Sequence, residues 1–319
     1  MSEQITLEAG TLKGVTEPTI KKIVDAGVST IGALARQIPN DLAERAGIGK
    51  DTAEKAISKA LELIDVGFID GLTLYEQRKD RTLLTTGSKA LDELLGGGIQ
   101  STTTTEFSGR EGSGKTQICH TLAVLAQQPV DDGGLDGDVV WIDTEGTFMP
   151  ERIMQIAEAR GYDPDITLSR IQHGQAHTSI HQRALIEQLD GICHSRNIKL
   201  IIVDSMMAHL RAEYLGRGTL AERQNVLNDM LQKLAKTCQT YKITAIYTNQ
   251  VMDNPAIMYG NPEKAVGGHI MGHAATTRIQ IRKGKDNKRV FKLDKSPYLP
   301  EGEAVIVITE KGIEDEADS

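Results

Sequence analysis

Gly109-Arg-Glu-Gly-Ser-Gly-Lys-Thr116 decides the fold, because it matches the pattern G-x-x-x-x-G-K-T without interruption. Its glycines let successive backbone N–H groups face a phosphate chain, while the lysine reaches the β/γ oxygens and the threonine hydroxyl can hold Mg²⁺. Apolar residues at the spacing of one helix face follow it, at Ile118, Leu122, Ala123 and Leu125. A glycine-rich surface turn is the alternative, but this context favours a nucleoside triphosphate site. Its expected members are Gly109, Arg110, Glu111, Gly112, Ser113, Gly114, Lys115, Thr116 and Gln117.

Three short apolar runs alternate with stretches of helical pattern. They are Val139–Ile142, Leu200–Val203 and Ile243–Tyr247. Continuous apolar runs of this length are typical of parallel strands whose two faces are covered by crossover helices. The pattern predicts an α/β domain in which ligands bind outside the carboxyl ends of the strands.

Each of these runs is followed by a polar residue suited to phosphate chemistry. Glu145 follows the first run, and a carboxylate beside the phosphate loop can deprotonate an attacking water; a helix N-cap or a solvated loop acid is the alternative. Asp204 closes the second run, as expected of a carboxylate that reaches Mg²⁺ through water. Gln250 follows the third and is suited to sense a γ-phosphate. We therefore expect Glu145, Lys115 and Gln250 to be catalytic, and Thr116 and Asp204 to hold the metal.

The composition is that of a globular protein. Of 319 residues, 25% are charged and 39% hydrophobic. No stretch approaches the ~20 consecutive apolar residues of a membrane span, and the N-terminus lacks a signal layout, so we expect an intracellular protein without a membrane partner. Cys119, Cys193 and Cys238 are odd in number and widely spaced, which argues against a disulfide framework and a zinc site. The net charge of −8 does not favour nucleic acid, although phosphate attraction depends on the local surface.

The first 65 residues predict a separate helical domain. Ala46–Ala56 places a Gly-x-Gly turn between two helical stretches, the pattern of a helix-hairpin-helix, and Leu12–Lys22 resembles a degenerate first copy. In such a turn the N–H groups at a helix N-terminus can bind a DNA phosphate, and Lys50 adds positive charge. A packing module that uses glycine for its turn is an equal alternative for the second copy. It is the favoured reading of the first, where Thr16 replaces the second glycine.

Residues 66–80 form a linker with an apolar anchor. Phe68 is one of four phenylalanines, and the short run after it could pair as a strand before charged residues begin. An apolar anchor beside an extended stretch is how a linker docks on another molecule, by strand addition with a side chain in a pocket. Packing on its own core domain is the alternative that the residues leave open.

Strings along most of the chain together resemble the RecA-like recombinases, specifically the archaeal RadA proteins and their eukaryotic relatives. The resemblance runs from the helix-hairpin-helix to Gly312. The strings that carry it are Leu95–Gly98, Gly109–Gln117, Trp141–Phe148, Pro150–Ile153, Tyr214–Gly218, Leu220–Gln224, Thr248–Val251, Gly267–Ile270 and Gly272–Thr276.

This resemblance implies a fold and a division into domains. Residues 1–65 would form an all-α helix-hairpin-helix domain that binds DNA, followed by the linker 66–80. Residues 81–312 would form a RecA-like P-loop ATPase core with a mostly parallel central sheet. The acidic residues 313–319 predict a disordered tail.

The resemblance also implies an activity. It is that of a DNA-dependent ATPase that uses ATP and Mg²⁺, forms helical filaments on single-stranded DNA, and catalyses homologous pairing and strand exchange with double-stranded DNA in repair. We expect a homo-oligomer, as a filament or a ring, in the cytoplasm with the nucleoid. The alternatives are a non-pairing mediator with the same ATPase core, a hexameric helicase and a small-molecule kinase. The N-terminal domain and the linker anchor count against the mediator, and an arginine-containing loop at 211–223 favours DNA over a metabolite.

Position by position, the resemblance assigns further residues. Arg152 would stack on adenine, and His273 would lie at a subunit interface bridged by ATP. The next protomer would cap the nucleotide with Lys295, Ser296 and Pro297, and Phe68 with Gly71 would anchor the linker on a neighbour. DNA contacts are implied in one loop at Arg211, Tyr214, Arg217 and Arg223, and in a second loop, from about Val251 to His273, at Gly267 and Gly268.

The sequence departs from the family pattern at two positions. Glu111 replaces an aromatic residue that many members carry, but the nucleotide contact there uses the backbone, so ATP binding should survive. Lys295 stands where relatives use an aspartate to hold a monovalent cation near the γ-phosphate, so we expect the ATPase to depend little on potassium. Arg278–Lys292 is locally basic and predicts a hairpin, either a solubilising tip or a guide for duplex DNA.

Overall fold

The computed structural model describes residues 4–64, 67–79, 81–216, 218–253 and 263–316. The helices are α1 (Glu17–Asp25), α2 (Ile31–Ala35), α3 (Pro39–Ala46), α4 (Lys50–Leu63), α5 (Gly71–Lys79), α6 (Lys89–Leu94), α7 (Lys115–Leu125), α8 (Pro150–Ala159), α9 (Pro164–Ser169), α10 (Ser179–Glu187), α11 (Leu189–Ser195), α12 (Ala208–Glu213), α13 (Leu220–Tyr241) and α14 (Gly268–Ala274). The strands are β1 (Leu83–Leu84), β2 (Ile99–Gln100), β3 (Thr104–Gly109), β4 (Asp138–Asp143), β5 (Ile171–Gln175), β6 (Ile198–Asp204), β7 (Thr244–Asp253), β8 (Glu263–Ala265), β9 (Thr277–Lys283), β10 (Lys288–Lys295), β11 (Gly302–Thr309) and β12 (Gly312–Asp315).

The N-terminal domain is helical, as predicted, and has its own apolar core. The helix-hairpin-helix turn lies between α3 and α4, where Gly47 has φ 57° and ends α3 in the left-handed conformation that glycine adopts without a Cβ clash. Gly49 then precedes the first residue of α4. Ile23 of α1, Leu34 of α2 and Leu42 of α3 are fully buried together.

Polar contacts join this domain to the larger one. The N–H of Ser29 donates to Asp190 Oδ2 over 2.6 Å, and Tyr241 donates to the other oxygen of the same carboxylate over 2.7 Å. Asp41 lies 3.8 Å from the Lys233 ammonium of α13. The N-terminal domain therefore packs on α11 and α13.

The linker corrects one prediction. The run after Phe68 does not pair as a strand but forms helix α5. Asp70 explains the difference, because its Oδ1 accepts the N–H groups of Leu72 (2.9 Å) and Thr73 (3.0 Å), which caps the helix N-terminus. No side chain of α5 is buried.

Strands β3 to β12 build one large sheet in the order β12-β11-β10-β9-β3-β7-β6-β4-β5, with β8 paired to β7, and β1 and β2 form a separate two-stranded sheet. Strands β9, β3, β7, β6, β4 and β5 run parallel, and the remaining pairs are antiparallel. The three predicted runs lie in β4, β6 and β7, which confirms the α/β class. Apolar side chains of α7 and α8 cover one face, and those of α10 to α13 cover the other.

The carboxyl-terminal strands test two further predictions. The hairpin predicted in the basic stretch is confirmed, because β9 and β10 pair antiparallel. The predicted disordered tail was wrong for residues 313–315, because these residues pair with β11 as strand β12. Asp315 also accepts hydrogen bonds from the N–H of Lys89 (2.7 Å) and the hydroxyl of Ser88 (2.5 Å), so it connects β12 to the start of α6.

Within the described residues, no helix combines the length and the apolarity needed to cross a membrane.

Candidate nucleotide site and DNA interface

The phosphate loop connects β3 to α7, as the sequence predicted. Gly112 (φ 68°) and Gly114 (φ 112°) have positive φ angles, and a Cβ at Gly109 would lie 2.4 Å from a backbone oxygen, so the turn needs glycine at these positions. Lys115 begins the helix, and its Nζ donates to the carbonyls of Gly109 and Arg110, both over 2.9 Å. Burial lowers the pKa of this ammonium. The loop therefore holds its lysine beside the backbone that a phosphate would meet.

The predicted metal ligands lie next to each other. The Thr116 hydroxyl donates to Asp204 Oδ2 over 2.7 Å, and the hydroxyls of Thr147 and Thr248 also donate to this carboxylate. Asp204 is buried, and burial raises its pKa. No group of three or more His, Cys, Asp or Glu in the described chain could hold a metal. A carboxylate and a hydroxyl suit Mg²⁺, which keeps water and substrate oxygens in the rest of its shell.

Glu145 belongs to a chain of hydrogen bonds that also contains Gln250 and Arg211. Its Oε1 accepts the Ser205 hydroxyl over 2.6 Å and faces the Gln250 amide nitrogen at 3.4 Å. The amide oxygen of Gln250 in turn accepts a hydrogen bond from the Arg211 guanidinium. The structure thus brings the predicted base, the predicted γ-phosphate sensor and a predicted DNA contact together. The residue before α8 is Met149, which excludes the helix N-cap alternative for Glu145.

Residues that the sequence did not assign complete this region. Ser205 holds Glu145, and Thr248 donates to Asp204 from the neighbouring strand. Asp143, the last residue of β4, accepts the N–H groups of the segment that carries Glu145. The sequence does show hydroxyl residues at these places, Ser205 directly after β6 and Thr248 within β7. Whether their side chains face the site, however, depends on the strand register, which the sequence pattern does not give.

The predicted adenine contact has a fixed orientation. The Arg152 guanidinium donates to Gln117 Oε1 over 2.9 Å and to the Thr309 carbonyl over 2.6 Å, and it reaches the Glu310 carbonyl at 3.1 Å. Burial lowers the pKa of Arg152. These contacts attach the arginine to the turn between β11 and β12 and hold its plane in place.

The predicted capping residues form a second group. His273 is exposed on α14. The Lys295 ammonium donates to three carbonyls at the end of that helix, those of Gly272 (2.9 Å), His273 (3.3 Å) and Ala275 (2.7 Å). Ser296 accepts the Leu299 N–H over 3.1 Å, and Pro297 is exposed. Lys295 therefore joins β10 to α14 and neutralises the negative end of the helix dipole.

The structure describes three of the four residues predicted to contact DNA in the first loop. Arg211 lies in α12 and Arg223 in the first turns of α13, whereas Arg217 lies outside the described residues. Tyr214 is half-buried against the core, so its ring is only partly available for stacking.

The second predicted loop also has regular structure at both ends. Strand β7 continues to Asp253 and pairs with β8, and residues 254–262 lie outside the described residues. Gly267 (φ 97°) and Gly268 (φ 62°) turn the chain into α14. A Cβ at Gly267 would lie 2.3 Å from the Met271 side chain, so this turn needs glycine.

Most cations of the basic stretch have acidic partners. Arg278 bonds the fully buried Glu106 over 2.7 Å, and Arg282 lies 2.5 Å from Glu303. Two further pairs are Lys288 with Glu316 (2.6 Å) and Lys292 with Asp294 (3.0 Å). The local positive charge available to duplex DNA is therefore smaller than the sequence suggested.

Among the residues that the structure describes, none covers the side chain of the linker anchor. Phe68 is fully exposed, which removes the alternative that it packs within the chain. The neighbouring Ile69, Leu72 and Tyr75 are exposed as well. At the far end of the sheet, β5 pairs only with β4 among the described strands, so its outer edge is open to another strand.

His120 supplies a prediction about pH. Its buried ring lies 4.9 Å from Trp141, and its Nε2 accepts the Met149 N–H over 3.1 Å; burial lowers its pKa from 6.5 to about 4. As the pH falls, the unfolded chain binds a proton at this histidine before the folded protein does. The buried neutral ring therefore contributes its full stabilisation above about pH 6.5, and the folded protein loses about 3 kcal/mol of stability as the pH falls toward 4. Urea unfolding at several pH values should detect this loss, and His120→Gln should flatten it. Equal slopes in both proteins would contradict the assignment.

Two family models match this chain. The Rad51 model matches residues 77–316, and a model described as a SAM-like helix-hairpin-helix tandem matches residues 7–62. The chain is 44% identical over 304 residues to the DNA repair and recombination protein RadA of Aeropyrum pernix, covering 95% of each chain. It is 46% identical over 312 residues to the protein of the same name from Ignicoccus hospitalis, covering 96% of this chain and 95% of that one.

Proposed function

Because this chain belongs to the Rad51 family, we propose that it is a DNA-dependent ATPase that assembles on single-stranded DNA and catalyses homologous pairing and strand exchange in recombinational repair. The curated relatives carry the name of DNA repair and recombination proteins. The observation that supports the proposal is the hydrogen-bond chain from Arg211 through Gln250 to Glu145, because it joins a residue of the predicted DNA loop to the predicted catalytic base.

In this proposal, each residue of the phosphate site has one task. The loop 109–116 binds the phosphates of ATP through its N–H groups, with Lys115 beside the β/γ oxygens. Thr116 and Asp204 would hold Mg²⁺, and a bound Mg²⁺ would supply positive charge beside the phosphates. Glu145 orients and deprotonates the attacking water, and Ser205 holds its carboxylate in place. Arg152 stacks on the adenine ring of ATP.

The link to DNA follows from differential contacts. Gln250 has one amide group, and Glu145 and Arg211 already bond it. A γ-phosphate that attracts the amide, or a DNA phosphate that attracts Arg211, must change these bonds, so each ligand alters the other's site. Single-stranded DNA of any sequence fits this role, because arginines contact its backbone rather than its bases.

Assembly completes the proposed site. The exposed Phe68 and the open edge of β5 are complementary features of one chain, so copies can join head to tail, an arrangement that forms filaments or rings. His273 and the segment Lys295–Pro297 would then cap the nucleotide of a neighbour. We place the protein in the cytoplasm, on chromosomal DNA.

Electron microscopy with single-stranded DNA and a slowly hydrolysed ATP analogue tests this function, together with a strand-exchange assay between single-stranded and homologous duplex DNA. We expect continuous helical filaments and homology-dependent exchange. Closed rings without exchange would indicate a helicase-like motor, and filaments without exchange would indicate a mediator.

Lys295 carries a prediction about monovalent cations. Its ammonium contacts three carbonyls at the end of α14 and so supplies a fixed positive charge there. We expect the DNA-stimulated ATPase rate to change little when sodium replaces potassium. Lys295→Asp should make the rate depend on potassium, whereas Lys292→Asp, on the same strand, should not. A many-fold potassium effect on the unmodified protein would contradict this prediction.

A further inference from the structure

One buried carboxylate organises the segment that carries Glu145. Asp143 is the last residue of β4, and its side chain is almost completely buried. Its Oδ1 accepts the N–H groups of Glu145 (3.1 Å), Gly146 (2.8 Å) and Thr147 (3.2 Å). Its Oδ2 accepts the N–H of Phe148 over 3.1 Å. Four consecutive backbone donors therefore point at one side chain.

Two histidines hold the same segment from other elements. His120 of α7 accepts the Met149 N–H over 3.1 Å, so the end of the segment is attached to the helix that follows the phosphate loop. His173 of β5 lies 3.5 Å from Asp143 Oδ2, and its ring stacks on Phe148 at 4.8 Å. The segment 144–149 is thus held by β4, α7 and β5 together.

This arrangement limits where the Glu145 carboxylate can lie. The Glu145 side chain is exposed, and the described hydrogen bonds of its carboxylate are with Ser205 and Gln250. Ser205 holds the carboxylate itself, and the hydrogen bond from the Glu145 N–H to Asp143 fixes the backbone from which this side chain extends. A charged acceptor forms stronger hydrogen bonds than a neutral one, and a buried carboxylate needs such donors to offset the loss of water.

We propose that Asp143 is a positioning residue for ATP hydrolysis: its carboxylate shapes the turn 145–148 and thereby fixes the catalytic Glu145 relative to the phosphate loop. This inference rests on the proposed role of Glu145. The hydrogen bonds described for the Asp143 carboxylate all go to the N–H groups of residues 145–148, not to the phosphate loop. Loss of Asp143 should therefore lower the turnover number and leave nucleotide affinity, which depends on Lys115, Thr116 and Asp204, nearly unchanged.

Asp143→Asn tests the inference in the full-length protein. Asparagine keeps the shape of the side chain but removes its negative charge. Its amide NH₂ group can also take the place of Oδ2, where it cannot accept the hydrogen bond from the Phe148 N–H. We expect the DNA-stimulated turnover number to fall at least about 10-fold, with the Kd for a fluorescent ADP analogue changed less than about threefold. Asp138→Asn is the matched control, because Asp138 begins the same strand and instead pairs with Arg170 (2.9 Å) and Arg196 (3.2 Å).

Other outcomes are decisive. Turnover at the unmodified rate would overturn the inference, and so would a parallel loss of turnover and ADP affinity, which indicates general damage. If Asp143→Asn does not fold, Gly146→Ala replaces it: Gly146 has φ 67° and an added Cβ would meet nothing closer than 3.6 Å, so alanine disturbs the turn and little else. The same split between turnover and affinity is expected. Glu145→Gln, measured alongside, distinguishes the role of Glu145 from that of Asp143. If Glu145→Gln retains full turnover, the proposed catalytic role of Glu145 is wrong. If Glu145→Gln is inactive while Asp143→Asn retains full turnover, only the proposed role of Asp143 is wrong.

Discussion

Glu145→Gln is expected to lower the rate of DNA-stimulated ATP hydrolysis at least about 100-fold, the size of effect typical for loss of a general base. Glutamine keeps the side chain's length and can still bond Ser205 and Gln250, but it cannot accept a proton from water. ATP binding should remain, because Lys115, Thr116 and Asp204 are unchanged. DNA binding in the presence of ATP should therefore persist or last longer, since the nucleotide is hydrolysed more slowly.

Two measurements check this prediction. Phosphate release gives the rate, and fluorescence anisotropy of labelled single-stranded DNA gives the lifetime of the complex with ATP. Glu151→Gln is the control, because Glu151 is an exposed acid in the first turn of α8, six residues away. A loss of hydrolysis accompanied by a loss of ATP binding would assign Glu145 to binding rather than to proton transfer.

Phe68→Ala is expected to abolish self-assembly without changing the stability of the monomer. The Phe68 ring is fully exposed within the chain, so its truncation removes no internal packing. In an assembly it would be buried, and truncating a buried phenylalanine costs about 3–5 kcal/mol. Because a filament repeats the contact at every subunit, the variant should remain monomeric or form short oligomers at concentrations where the unmodified protein forms filaments.

Light scattering and electron microscopy measure assembly, and thermal unfolding measures monomer stability. Val130→Ala is a suitable control, because Val130 is an exposed apolar residue outside the linker. Normal filaments of Phe68→Ala would contradict the anchor, and a lower melting temperature would show that Phe68 packs within its own chain. If the ATPase site is shared between subunits, the same variant should also lose DNA-stimulated hydrolysis.

The local patterns of the sequence were sufficient for the class of the core and for the phosphate loop. Glycines at 109, 112 and 114 specify one backbone shape, and apolar runs such as Leu200–Val203 specify buried strands, because both signals lie within a few residues of the chain. The hairpin of β9 and β10 was predictable for the same reason.

Predictions failed where one side chain, or a partner far away in the sequence, determines the local structure or charge. Asp70 caps α5 and so converts an expected strand into a helix, a local effect that the apolar pattern hides. Residues 313–315 look like a solvated acidic tail, but β11 and the start of α6 provide partners for them. The basic stretch loses much of its free charge for a similar reason, because Glu106 and Glu303 come from other strands.

The sequence by itself thus determined which residues could bind a triphosphate, because the glycines, the lysine and the threonine of this loop are neighbours in the chain. Only the tertiary structure decided how those residues are positioned. Parallel strands β4, β6 and β7 bring Asp143, Asp204 and Gln250 to one edge of the sheet from positions far apart in the chain. The direction of each side chain depends on strand register and on packing, neither of which is encoded in a local pattern. That is why Glu145 could be named from the sequence, whereas the carboxylate that holds its backbone in place could not.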